Sequence, residues 1–489
     1  MSLFSEIKNQ ANALGVHTQC LKTTAKNISN LHNPNFSRES VSIAQAGSIK
    51  MGAYTQDMGI VIKDIRQSRD SFLDQQVNTQ AMLRHGLSAQ EKLGRILELK
   101  IDENVQRTGD PTTIGSIGLD ALNSNGLSMF IDNFFNTLQE LSGNPLDMSN
   151  RQILLEKAGC LCEKFNQLAK NFEELDSSIE SYKDNETYTV NNLLSKIADI
   201  NNEIILAKGN QSLGADLDYI NQRQATLEEL SQYINFEVRE EPNPVATGQP
   251  IYKLILPDGT PDGLSLLQGS QVLNTLHYKK EDKTFFIENK QALQTEVTIL
   301  GGRLNGYSSF QDNLLKPLSD NTDALARQMT KSINEAYGAN FFDVSAEFED
   351  ANFADFGAKD MRLNPNLKPQ TLITTTQERG NNDVLIKMID TYNFSHTQPD
   401  DSISGSFQEY HRNNLSSFGE KLNNLDKKLE NENMNELHLK NRREALMGVS
   451  LDEESANMSL FQKAYNATAS VIGILSSCLD TIIALGSRR

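Results

Sequence analysis

Seven histidines, His17, His32, His85, His277, His396, His411 and His438, are the first residues to test for chemistry. None stands in an HExxH or His-x-His pattern, so neither a metal cage nor a positioned imidazole base is indicated. The four cysteines, Cys20, Cys160, Cys162 and Cys478, form no CxxC pair. Cys160 and Cys162 lie two apart in a helical pattern and point in roughly opposite directions, which is poor spacing for chelation or a disulfide scaffold. The glycine pair in ILGGRLNG lacks the Lys and Ser/Thr of a phosphate-binding loop and reads as a turn admitting a helix. Asp452, Glu453 and Glu454 follow Ser450 and could pass for paired acid catalysts. SLDEE is better read as an N-cap with acids in the first helical turn, where the macrodipole favours them. No catalytic, cofactor-binding or metal-binding residue is therefore assigned, and the expectation is a non-enzyme.

Association remains. The chain has 489 residues with 46 basic against 64 acidic side chains, a net charge of −18, and no long Lys/Arg cluster. Nucleic acid and anionic membrane are poor partners for such a surface. Aromatic content is 7% with no Trp, so aliphatic helix seams fit better than one compact globule. The amino terminus shows no basic and apolar signal-peptide pattern. The most apolar run, VIGILSSCLDTIIAL, carries Asp480 in its middle, where a charge costs roughly 2.5–3.5 kcal/mol on insertion scales, so no membrane insertion is expected.

The elements that would carry association are the two ends. Phe4, Ile7, Ala11, Leu14, Thr18, Leu21, Ala25 and Ile28 alternate by three and four until Asn33-Pro34-Asn35 stops the helix. Leu460, Ala464, Ala467, Val471, Ile474, Cys478, Thr481 and Leu485 repeat the rule at the other end. These two seams are expected to pair with each other. Ile472, Leu475, Leu479 and Ile482 broaden the second helix, and leaving each exposed would forgo roughly 1.5–3 kcal/mol, so other subunits are expected to bury them.

Between the ends lies a rod. Leu154, Ala158, Leu161, Phe165, Leu168, Phe172, Leu175 and Ile179 keep heptad spacing, followed by Leu193, Ile197, Ile200 and Ile204. KGNQSLG turns the chain into a returning helix marked by Leu217, Ile220, Gln224, Leu227, Leu230 and Ile234. Another amphipathic helix is expected over Leu119 to Leu141. From Phe236 the pattern switches to short alternating runs with turn signals at Pro257 to Gly259 and Pro261 to Gly263, a β-rich insert. Helix resumes from Leu304, with Pro317 as a first-turn proline or kink.

The expected fold is mainly α with a β-rich insert: antiparallel terminal coiled-coil helices, a long helical rod domain and a small outer β domain. The boundaries are 1–65 plus 440–489 for the terminal (inner tube) domain, and 66–235 plus 303–339 plus 377–439 for the rod. Residues 236–302 form the β domain, and 340–376 are a mixed segment.

Specific residues carry a resemblance. Asn27, Ile28 and Asn30, followed by Pro34, Phe36, Ser37 and Arg38, are similar to the amino-terminal signature of bacterial flagellar rod, hook and hook-associated axial proteins. Leu451, Asp452, Glu453, Glu454 and Asn457, with Gln462, Ala464 and Tyr465, resemble their carboxyl-terminal signature. FNQLAKNFEELDSSIE, DLDYINQRQATLEELS and ILGGRLNGYSSFQDNLLKPL resemble the body of the hook-associated protein 1 family. Asn35 stands where that family usually has Gly, and its tolerance of a left-handed backbone would preserve the turn. Met447 precedes Gly448 where Ser is common.

The resemblance implies a structural layer on the hook that adapts it to the filament. Its partners would be hook protein, hook-associated protein 3 and neighbouring copies of the chain, with a cytoplasmic export chaperone on the carboxyl-terminal helix. The implied location is the hook–filament junction of the flagellum, reached through the type III apparatus without a cleaved signal. The alternatives are another axial part (hook protein or hook-associated protein 3), an exported wall hydrolase on an axial scaffold, and an intracellular coiled-coil tether. Antiparallel ends with Met1 near Arg489 would place Leu14 level with Ile474, and Cys20 ~15 Å from the level of Cys478.

Overall fold

The computed structural model describes residues 3–51, 54–101, 126–209, 213–242, 251–257, 263–344, 355–375, 381–393 and 405–486. The first part of the expected Leu119 helix, the middle of KGNQSLG and most of the two Pro-Asp-Gly turns lie outside those residues.

The chain opens with α1 (Leu3–Ser29), which ends ahead of Pro34. Four short strands follow, β1 (Glu39–Gln45), β2 (Ser48–Met51), β3 (Tyr54–Asp57) and β4 (Ile60–Gln67), with β1 pairing β4 and β2 pairing β3, both antiparallel. This β ribbon is not among the expected elements, the expectation for residues 1–65 being the terminal coiled-coil domain. The alternation in ESVSIAQ and IVIKDIRQ was its signal. The ribbon lies along α1 and is tied to it where Asn9 Nδ2 donates to Asp57 O at 2.9 Å.

The body consists of α2 (Ser71–Ile101), α3 (Leu127–Gly143), α4 (Met148–Gly209) and α5 (Leu217–Ser231). At 62 residues α4 is ~93 Å long. The expected seam from Leu154 to Ile179 is buried throughout, as are Leu193, Ile197, Ile200 and Ile204. Between its two halves the stripe passes through Lys183 and Thr187, both buried, so it is polar at mid-length. The Lys183 ammonium donates to Gln311 and lies 5.1 Å from the Tyr278 ring centroid. Burial, only partly offset by Glu180, lowers its pKa.

The β insert forms two antiparallel sheets. One comprises β5 (Glu237–Glu241), β6 (Ile251–Leu256), β7 (Leu264–Gln268) and β8 (Gln271–Val272); the other comprises β9 (Asn274–Lys279), β10 (Thr284–Asn289) and β11 (Gln294–Val297), with β10 central. Two asparagines of α4 seat them. The Asn191 amide donates to Leu276 O at 2.7 Å and accepts from Leu276 N at 2.9 Å, mimicking a neighbouring strand. Asn201 donates to Gly269 O at 2.7 Å.

Helix returns in α6 (Gly302–Phe310), a π turn over Gln311–Leu315, and α7 (Lys316–Tyr337). Pro317 has no N–H for the carbonyl of Asn313, and Lys421 Nζ takes that acceptor instead at 2.9 Å. Gly302 and Gly306 let α6 approach α2. A Cβ at Gly306 would lie 2.4 Å from Gly86 O, and Gly302 has φ +74°. The mixed segment contributes a two-residue antiparallel pairing of β12 (Phe342–Asp343) with β13 (Arg362–Leu363). The last helices are α8 (Asp383–Asn393), α9 (Phe407–Met447) and α10 (Leu451–Gly486). A core of Phe134, Phe135, Phe341, Phe342 and Phe407 joins α3, α9 and the mixed segment.

Candidate functional site

The two signature segments meet in space although more than 400 residues separate them in sequence. Asn27 near the end of α1 makes three hydrogen bonds. Its amide donates to Glu39 O at 2.9 Å and Glu454 Oε2 at 3.1 Å, and its carbonyl accepts from Glu39 N at 3.0 Å. Arg38 bridges the acids of α10, with Nε 2.7 Å from Glu454 Oε1 and Nη1 2.8 Å from Glu453 Oε2, while its backbone N–H donates to Met447 O. The Glu454 side chain is 2% exposed, so its charge is matched by a buried charge-assisted bond rather than by water.

Capping by SLDEE is present as expected: Glu453 N donates to Ser450 Oγ at 3.5 Å and Glu454 N to Ser450 O at 3.0 Å. The first-turn acids therefore serve twice, as cap and as clamp. Lys26, Glu39 and Asp218 extend the cluster towards α5, with Lys26 Nζ 2.7 Å from Glu39 and 2.8 Å from Asp218. Burial disfavours the Lys26 cation, but Asp218 and Glu39 outweigh it and its pKa is raised; burial raises Glu39, which Lys26 only partly offsets. Sequence reasoning missed these three residues, because nothing in a lone Lys, Glu or Asp distinguishes a clamp from a solvated face.

Asn35 is not left-handed: among the described non-glycine residues only Lys283 and Ala292 have positive φ. Its N–H instead donates to Asn33 Oδ1 at 3.1 Å, an Asx turn that needs no glycine. Ser37 is fully buried beside Arg38, and Phe36 is buried 6.0 Å from Lys26 Nζ.

The clamp fixes the register of α1 on α10, which run antiparallel with Asn27 beside Glu454. Counting roughly 24 residues from that contact along both helices brings Leu3 level with Cys478. Leu14 is thus level with Ala467 rather than Ile474, and the last turns of α10 overrun the described start of α1. Cys20 is ~25 Å from the level of Cys478, not ~15 Å.

The faces differ from expectation as well. On α1 the buried stripe is Val16, Cys20, Thr23 and Asn27. Leu21, Ile28, Leu14 and Ile7 are half-buried, whereas Phe4, Ala11 and Ala25 are exposed. On α10 the residues turned inward are Glu454, Asn457, Phe461, Ala464, Tyr465, Thr468, Ile472, Leu475 and Leu479. Ile472, Leu475 and Leu479, expected to meet neighbours, therefore face α1. Leu460, Ala467, Val471, Ile474, Cys478 and Leu485, expected to face α1, are exposed, as are Ile482, Leu451 and Gln462. The stripes lie one residue apart, and the buried polar pair of Asn27 and Glu454 selects between them.

That leaves an uncovered apolar face. Ile474 is 64% and Leu485 66% exposed. Between Phe407 and Leu485 lies an 18-residue window long and apolar enough, by length and composition alone, to cross a membrane, and only 6% of it is buried. Among the described residues no group of three or more His, Cys, Asp or Glu side chains is placed to hold a metal.

A helical body entered and left through two antiparallel terminal helices is the organisation that the axial-protein signatures imply. Residues 119–347 match the family described as flagellar hook-associated protein FlgK helical domain. Flagellar hook-associated protein 1 of Bacillus subtilis is 24% identical over 527 residues, covering 99% of this chain and 98% of that protein. The proteins of the same name from Salmonella typhimurium and Escherichia coli are 23% identical over 235 residues, 48% of this chain and 39% of theirs. The solved flagellar hook junction protein FlgK from Burkholderia pseudomallei overlays with TM-score 0.44 at 21% identity, covering 56% of this chain and 47% of that one. The chain is similar to flagellar hook-associated protein 1 along nearly its whole length.

Proposed function

We propose that the chain is a structural, non-enzymatic component of the bacterial flagellum that forms a layer between hook and filament. The observation that carries this reading is the apolar face of α10, uncovered in the single chain, on a protein alike to hook-associated protein 1 along nearly its whole length. A face of this kind gains order when neighbours bury it. Copies of the chain pack through it as an inner tube, hook protein lies on one side of the layer and hook-associated protein 3 on the other. Before assembly an export chaperone covers α10, and the chain leaves the cell through the type III apparatus. The helical rod surrounds the tube and the β insert faces outward.

Deleting Met458–Arg489 tests this. The expected product is a soluble, largely helical protein that no longer joins hooks, with flagellin released unattached; normal filaments would overturn the reading. Cross-linking to both hook protein and hook-associated protein 3 in isolated flagella separates the junction role from other axial roles. A second reading, a membrane-seated α10, rests on the same hydropathy and is opposed by Asp480. Flotation of the purified chain with liposomes would favour it.

A further inference from the structure

The β insert guards its sheet edges unequally. An edge strand presents unpaired N–H and C=O groups to any other chain, and proteins ordinarily blunt it with charge, proline, shortness or a cover. β5 carries four charges in five residues, Glu237, Arg239, Glu240 and Glu241, and β8 has only two residues. The edge of β9 is met by the Asn191 amide at Leu276. β11 has none of these devices. Among the described residues it pairs only with β10, it contains no Pro or Lys, and Glu296 is its single charge. Gln294, Thr295 and Glu296 are exposed, and the flanking Leu293 and Leu300 are 64% and 58% exposed.

The backbone of β11 is also directed. Asn289 N donates to Leu293 O at 3.2 Å, so the alternation of the ladder turns the peptide groups of Leu293, Thr295 and Val297 towards β10 and those of Gln294 and Glu296 outward. A strand can add a second copy of itself antiparallel about a two-fold axis, which then passes between one residue and its own copy. Centring on Glu296 sets two carboxylates face to face. Centring on Gln294 sets Leu293 opposite Thr295, and centring on Val297 sets Leu300 opposite Gln294. Centring on Thr295 alone makes every pair complementary: Thr295 with Thr295, Gln294 with Glu296, and Leu293 with Val297. It also continues the core-facing row Tyr278, Phe285 and Val297 with Leu293 of the second copy.

We propose that β11 is a docking edge for β11 of a second copy of this chain, joined antiparallel and centred on Thr295. Gln294 of each copy exchanges backbone hydrogen bonds with Glu296 of the other, and two three-stranded sheets become one continuous sheet. A two-fold contact closes on itself and does not propagate round a ring. The pair therefore belongs to the chain outside the proposed layer and stands independently of the junction role.

Cross-linking of the full-length chain tests the register. Cys160→Ser and Cys478→Ser together remove the exposed thiols and serve as the background. In it, Thr295→Cys should give a disulfide-linked dimer on mild oxidation with diamide, because opposed residues of a non-hydrogen-bonded pair lie ~4.5 Å apart at Cα, within disulfide reach. Glu296→Cys lies two positions, or ~7 Å, out of register with its own copy and should cross-link at least about 10-fold less. Charge at position 294 gives the second readout. Gln294→Lys faces Glu296 of the other copy and should raise the Thr295→Cys yield by about 3- to 10-fold under limiting oxidation, whereas Gln294→Glu should lower it by a similar factor. A misfolded insert would not move the yield in opposite directions. Three results would overturn the proposal: no dimer from Thr295→Cys, equal yields from Thr295→Cys and Glu296→Cys, or the same response to both charges at position 294.

Discussion

Arg443→Met removes one guanidinium from the place where three helices meet and keeps most of its aliphatic stem. Arg443 Nη1 bonds to Glu228 of α5 and lies 3.9 Å from Asp74 Oδ1 of α2, an oxygen with no hydrogen-bond donor. Arg69 Nε holds the other Asp74 oxygen at 2.7 Å, so the variant strips the carboxylate of one cation out of two. Breaking a buried pair by removing one partner costs about 3–5 kcal/mol. The surviving Arg69 and the partial exposure of Glu228 bring the expectation here down to about 2–3 kcal/mol at pH 7. For helices unfolding as a unit of 150–250 residues, that is a fall in melting temperature of about 5–10 °C, read by circular dichroism at 222 nm.

The pH dependence has a definite sign. Burial raises the Asp74 pKa above its ordinary 3.8, against the pull of Arg69 and Arg443. An acid raised in the folded state penalises folding above its folded pKa, and the penalty disappears below the unfolded value. Loss of Arg443 raises Asp74 further, so the gap between variant and native chain should be widest at pH 7 and narrow towards pH 4. A melting shift below 1 °C, or a gap that widens on acidification, would refute the reasoning.

His85 makes a second pH prediction: burial, then the Arg84 charge, lowers its pKa to about 4. Its contribution is complete above the unfolded value of 6.5 and is lost as pH falls from 6.5 towards 4, about 1–2 kcal/mol once solvent screening of this partly exposed ring is allowed for, and His85→Gln should flatten that part of a stability-versus-pH curve. Gly306→Ala forces a Cβ against the α2 backbone and should destabilise the rod by about 2 kcal/mol or more, seen as a lower urea midpoint with the slope unchanged. Native protein should contain no Cys20–Cys478 bridge, given the ~25 Å between their levels, and finding one by mass spectrometry would contradict the register set by Asn27 and Glu454.

The rod was legible because burial and periodicity coincide there: every apolar position from Leu154 to Ile179 on the expected stripe is buried. At the ends they do not coincide. α10 carries apolar residues on adjacent stripes, and a count of threes and fours cannot say which one faces inward. The decision falls to Asn27, Arg38 and Glu454, residues that composition assigns to the surface. The ribbon went unread because its strands are short and only half covered, so Val41, Ile43 and Ile62 give too weak an alternation to stand out until α1 is laid beside them. Lys183 is similar, a charge within an otherwise apolar heptad whose partners come from β9, β10 and the π turn, far away in sequence.

The π turn at Gln311–Leu315 has a consequence for comparison between homologues. One additional residue in a helix displaces everything after it by ~100° around the axis. Leu304, Tyr307 and Phe310 are thus written in one angular frame, with α6 against α2, and Leu318, Leu325 and Met329 in another, with α7 against α8 and α9. A single-residue deletion here would keep the helix intact and turn half of its apolar code away from its reader. Length at this point is therefore a structural constraint separate from composition, and a relative that lacks the extra residue should differ at Pro317 and Lys421 together.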